Sequence, residues 1–113
     1  MNPRNLFENA TNKESYDAGT VIFRKGDRGD YMYVIMEGAV DIVADGKYIR
    51  TLREGDLLGE MSLVDDSPRS ADAVAKTACV LAPVDERRFL FLVHETPMFA
   101  LHVMSVMAAR LRG

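Results

Sequence analysis

The chain has 113 residues, 48% hydrophobic and 27% charged, with a net charge of -3 and a pI near 5.3. That length suits one domain over residues 1–113 with a single core burying roughly two-thirds of the unfolded surface, and the acidic balance leaves no basic footprint for nucleic acid. No apolar run nears the roughly 20 residues of a membrane span, the opening MNPRNLFENATN lacks a signal-peptide layout, and the lone Cys79 excludes an internal disulfide or a thiolate metal cluster, so the expected setting is cytoplasmic.

In chain order, Asn5 to Ala10 is expected to form a single helical turn. A β-barrel or jelly roll follows over about 18–84, because short apolar runs there are broken by glycine-bearing turns. The runs are Thr20 to Phe23, Tyr31 to Met36, Val40 to Val43, Tyr48 to Leu52, Ser70 to Ala75 and Cys79 to Val84. Asp45-Gly46, between two of them, predicts a two-residue type I′ hairpin, in which both turn residues need positive φ. A short helix is expected over Glu60 to Val64. From 85 to 112 the pattern turns helical. Asp85 can cap a helix with apolar positions Phe89, Leu92 and Val93, and Thr96-Pro97 restarts a second helix to about Leu111 that is apolar on more than one side. The fold class is therefore mainly β, with C-terminal helices.

The stretch Leu57 to Ala75, LLGEMSLVDDSPRSADAVA, carries the chemistry. Gly59 lets the backbone approach a ligand, and a helical turn beginning at Glu60 presents free N–H groups that attract anions. Arg69 supplies a planar cation suited to gripping a phosphate with two parallel hydrogen bonds, and Ser70 and Ala71 add a hydroxyl and an uncrowded N–H. The Glu60 carboxylate only accepts hydrogen bonds, so it calls for a neighbouring hydroxyl. Together they suit a small ligand bearing a phosphate beside a sugar hydroxyl.

The order G-E-M-S-L then P-R-S-A, following Lys25-Gly26-Asp27, Gly29-Asp30, Tyr33-Val34-Ile35 and Gly38, resembles the phosphate-binding cassette of the cyclic-nucleotide-binding domain family. That family includes catabolite activator proteins, regulatory subunits of cyclic-AMP-dependent kinase and cyclic-nucleotide-gated channels. The resemblance covers about Leu6 to Arg112. It implies a jelly roll binding cyclic AMP or cyclic GMP without a further cofactor or metal, with Glu60 on the ribose 2′-hydroxyl and Arg69 on the phosphate. Gly59, Met61, Ser62, Ser70 and Ala71 would line the same cradle, Ile42, Ile49 and Leu58 would be apolar walls near base or sugar, and Arg110 would reach toward Glu60. A threonine after the cassette arginine tends in the family to accompany guanine preference. Here that position is Ser70, so cyclic AMP is expected to bind at least as well as cyclic GMP.

Two departures bear on output. In the bacterial transcription factors the last helix continues into a helix-turn-helix domain, whereas this sequence stops at Gly113, so DNA binding is not carried over; the N-terminal helical segment is also shorter than usual, and with no apolar run of spanning length no membrane contact is expected of this chain. The implied role is a non-enzymatic sensor, alone or as the regulatory piece of a larger protein. A cupin-type metal enzyme would need barrel histidines, and none lies between Thr20 and Val84, so Ser70 lacks an activating base as well. The alternative is a ligand-independent dimerisation or interaction module of the same fold. For a homodimer or an effector contact the Pro97–Leu111 helix is the expected surface, with Leu101, Met104, Ala108 and Leu111 as its outer stripe.

Overall fold

Apolar residues on both sides of one central strand set the layering of the molecule. The structure, a computed structural model, describes residues 1–112. Its strands are β1 (Glu14–Tyr16), β2 (Val21–Phe23), β3 (Tyr31–Glu37), β4 (Val40–Ala44), β5 (Lys47–Leu52), β6 (Leu57–Leu58), β7 (Asp72–Ala75) and β8 (Cys79–Asp85). Helix α1 (Glu60–Asp65) lies between β6 and β7, and α2 (Glu86–Glu95) and α3 (Pro97–Arg112) close the chain. The strands form two antiparallel four-stranded sheets, ordered β1-β8-β3-β6 and β2-β7-β4-β5, in a jelly roll. Alternate residues of β3 serve two cores. Met32, Val34 and Met36 pack with Leu92, Phe99 and Val103 of the helices, while Ile35 packs with Val40, Leu52, Ala73 and Leu81 between the sheets. With both faces covered, β3 reads as a continuous apolar run.

The Asp45-Gly46 turn has φ of 52° and 76°, as a type I′ hairpin requires, and joins β4 to β5. Asp85 caps α2 by accepting from the Arg88 N–H at 2.8 Å. Thr96 and Pro97 break the helix, since a residue before proline is disfavoured in the α region, and α2 and α3 are bent by 118° there. No single helix among the described residues is long and apolar enough to cross a membrane.

Several expectations shift. The N-terminal turn is a 3-10 turn at Pro3–Leu6 rather than at Asn5 to Ala10, because the Asn2 side chain caps it and Pro3 supplies its first φ. The first strand begins at Glu14 rather than near residue 18, and β6 was not anticipated at all. Strand β7 starts at Asp72 rather than Ser70. The Arg69 backbone is already engaged with the β2–β3 loop, its N–H donating to the Asp27 carbonyl and its carbonyl accepting from Gly26, both at 2.8 Å. On α3, Leu101, Met104 and Leu111 are exposed as expected, but Ala108 is half-buried.

Candidate functional site

Two β-bulges and one glycine turn assemble the site. The register shifts between Val21 and Phe23 on β2 and between Ile42 and Val43 against β5 each leave one unpaired residue. A bulge re-aims side chains. Consecutive residues on each strand, Ile22 with Phe23 and Ile49 with Arg50, thereby reach the inner side, where Phe23, Ile42, Ile49 and Arg50 line one cavity. Its volume is about 240 Å³.

Gly59 opens α1 with φ of 76°, a left-handed conformation that glycine adopts without strain. A β-carbon there would stand 2.2 Å from Arg69 Nη1, so the glycine also makes room for the guanidinium. Glu60, the first residue of α1, is fully buried. Its Oε1 accepts from Arg110 Nη1, and Arg110 Nη2 donates to the Leu57 carbonyl at 2.6 Å, so the last turn of α3 is tied to the start of the cassette. Glu60 Oε2 is buried and accepts from no group among the described residues.

Arg69 is 4% exposed and forms no ion pair among the described residues. Its Nη1 donates to the Gly59 carbonyl at 3.0 Å and its Nη2 to the Tyr31 carbonyl at 2.5 Å, while Nε, also buried, has no acceptor among the described residues. Burial pushes the guanidinium below its ordinary value, a shift that Tyr33, Asp27, Asp30 and Glu60 oppose. The neighbouring Tyr33 phenol is pushed up, chiefly by its own burial. A buried acceptor and a buried donor, each with an unused valence, thus border one cavity. That pair is complementary to a ligand carrying a hydroxyl and an anion.

All eleven residues singled out in the sequence line this cavity: Ile42 and Ile49 from the second sheet, Leu58 and Gly59 from β6 and its turn, Glu60, Met61 and Ser62 from α1, Arg69, Ser70 and Ala71 from the cassette's far end, and Arg110 from α3. Sequence reasoning missed Phe23, Arg50 and Leu52. Period-2 alternation would have put Leu52 and Arg50 on one face, but the bulges that bring in Ile49 and Phe23 leave no local signal. Among the described residues no cluster of His, Cys, Asp or Glu could hold a metal ion.

Comparison with known proteins identifies the family. Residues 13–96 match the family described as the cyclic nucleotide-binding domain. The cAMP-dependent protein kinase regulatory subunit of Eremothecium gossypii is 37% identical over 86 residues, 76% of this chain and 19% of that protein, so this chain spans about a fifth of that relative. Among solved structures, the catabolite activator protein of Thermus thermophilus superposes with a TM-score of 0.81 at 30% identity, covering 95% of this chain and 58% of that one. The EAL enzyme Bd1971 in its cGMP-bound form gives a TM-score of 0.70 at 33% identity, over 88% of this chain and 28% of that one. A match across most of the chain, joined to a jelly roll with this cassette, places the protein in the cyclic nucleotide-binding domain family.

Proposed function

We propose that this chain is a non-enzymatic sensor that binds a purine 3′,5′-cyclic monophosphate through Glu60 and Arg69. The observation that carries the reading is the pair of unused buried valences, Glu60 Oε2 and Arg69 Nε, on one cavity of about 240 Å³. A ribose hydroxyl donates to Glu60 Oε2, and the phosphate accepts from Arg69, with N–H groups of Ser70 and Ala71 beside it. Ile42, Ile49 and Leu58 pack on the base and sugar. No further cofactor enters the reading, and its setting is cytoplasmic. Calorimetry with cyclic AMP and cyclic GMP tests it: saturable 1:1 binding of either supports it, and no heat with either up to millimolar concentration rejects it in favour of a ligand-independent interaction module.

Cyclic AMP is the favoured ligand, on Ser70 at the position after Arg69 and on a 37% identical relative named as cAMP-dependent. One observation favours cyclic GMP instead. Arg50 lines the cavity, and its side chain has no ion-pair or hydrogen-bond partner among the described residues. An arginine can donate two hydrogen bonds to guanine O6 and N7, whereas adenine offers it one acceptor and a competing donor. Competition between the two nucleotides decides: preference for cyclic AMP upholds the first reading, and a cyclic GMP preference that Arg50→Ala abolishes upholds the second.

A further inference from the structure

Arg69 is a buried cation whose direct contacts are neutral groups. Two backbone carbonyls take its terminal nitrogens, and no carboxylate approaches within ion-pair distance among the described residues. Its Cζ lies over the ring of Phe23, 4.1 Å from the ring centroid. That is the geometry of a cation–π contact, which strengthens when water is excluded. The placement of the ring is built into the strand. Between Val21 and Phe23, β2 carries one residue more than β7, and this bulge turns Phe23 toward the guanidinium.

The partners divide the guanidinium by direction. The Gly59 and Tyr31 carbonyls take its Nη1 and Nη2 donors, the Phe23 ring lies under its Cζ, and Nε has no partner among the described residues. We propose that Phe23 is a positioning residue for phosphate recognition: its ring, aimed by the β2 bulge, holds Arg69 uncountered and in the plane needed for the phosphate to be its first anionic partner. This inference rests on the cyclic-nucleotide reading of the cavity. A leucine or methionine at 23 would fill similar space but lacks the ring quadrupole, whereas tyrosine keeps it.

Two measurements test the role. In nitrogen-edited NMR of the nucleotide-free protein, the Arg69 Nε–H proton should be shifted upfield by the ring, Phe23→Leu should remove the shift, and Phe23→Tyr should retain it. In calorimetry with whichever cyclic nucleotide binds more tightly, Phe23→Leu should weaken binding about three- to thirtyfold, and Phe23→Tyr should recover most of the loss. In an Arg69→Gln background, Phe23→Leu should add less than about twofold, because its effect runs through the guanidinium. Full affinity in Phe23→Leu, or losses that multiply in the double variant, would overturn the proposal and leave Phe23 as a wall of the cavity. Should Phe23→Leu fail to fold, Phe23→Met makes the same comparison. If the unmodified protein binds neither nucleotide, the cyclic-nucleotide reading fails and the phosphate role of Phe23 with it; an upfield shift with no effect on affinity overturns this inference alone.

Discussion

In the proposed reading Arg69 and Glu60 make opposite demands on one ligand, and each can be tested alone. Arg69→Ala removes the buried cation, so cyclic-nucleotide affinity should fall by about 2–5 kcal/mol, roughly thirty- to several-thousand-fold. Glu60→Gln should cost less, since an amide oxygen still accepts from a hydroxyl. Calorimetry on the two variants checks the order, and an Arg69→Ala protein that binds normally would remove the phosphate role. Both residues were legible in sequence because the cassette is contiguous: a glycine turn, one helical turn and an arginine nine positions after the glutamate keep their spacing whatever the sheets do. Phe23 and Arg50 were not legible. Each comes from a different strand, and its direction depends on bulges that only pairing creates.

At the scale of elements, the β2–β3 loop and α1 are pressed together at Gly29, which is buried. A β-carbon there would stand 2.3 Å from Ser62 Cβ and 3.2 Å from Arg69 Cζ, so in Gly29→Ala either the loop or the cassette helix must shift. It should cost about 1–3 kcal/mol in urea unfolding and weaken nucleotide binding together with it; unchanged values in both would show that the loop yields freely. The short elements explain what sequence reading left out. Glu14–Tyr16 is a strand only through its pairing with Cys79–Leu81, and the two residues of β6 are too few to show alternation. Long apolar runs such as β3 and the capped start of α2 were plain, because their signals are local. Helix α3 was legible as apolar on several sides, and Met98, Leu101, Met104 and Leu111 are between 55% and 75% exposed. We propose that a second copy of the chain covers that face, since one apolar stripe suffices to dock a helix on the barrel. Met104→Glu with Leu111→Glu should lower the sedimenting mass at high concentration while leaving nucleotide affinity nearly intact; a strictly monomeric unmodified protein would remove the self-pairing.

Across the whole molecule, α3 binds the helical core at one end and the cassette at the other. Phe99 meets Phe7 and Phe89 edge to face, at centroid distances of 6.4 and 6.0 Å, and Val103 is buried beside it. One turn on, His102 is pushed down from its ordinary value of 6.5, first by burial and then by the N-terminal ammonium, with Asp56 opposing. The unfolded chain therefore takes up a proton that the folded chain resists. Stability should decline as pH falls through 6.5 and level off below the folded value, and His102→Asn should flatten that part of a urea-midpoint profile. A slope unaltered by the substitution would assign it to other groups. At the far end of α3, Arg110 holds one oxygen of the Glu60 carboxylate, and the other has no donor among the described residues. The helix thus acts as the rudder of that carboxylate, and steering of this kind is reciprocal. A nucleotide that fastens onto Glu60 should slow amide exchange in the final turn of α3, and should not do so in Arg110→Ala. By the same linkage, if a bound nucleotide steadies α3, a partner that steadies α3 by gripping Leu101, Met104 and Leu111 from outside should tighten the hold on a nucleotide it never touches.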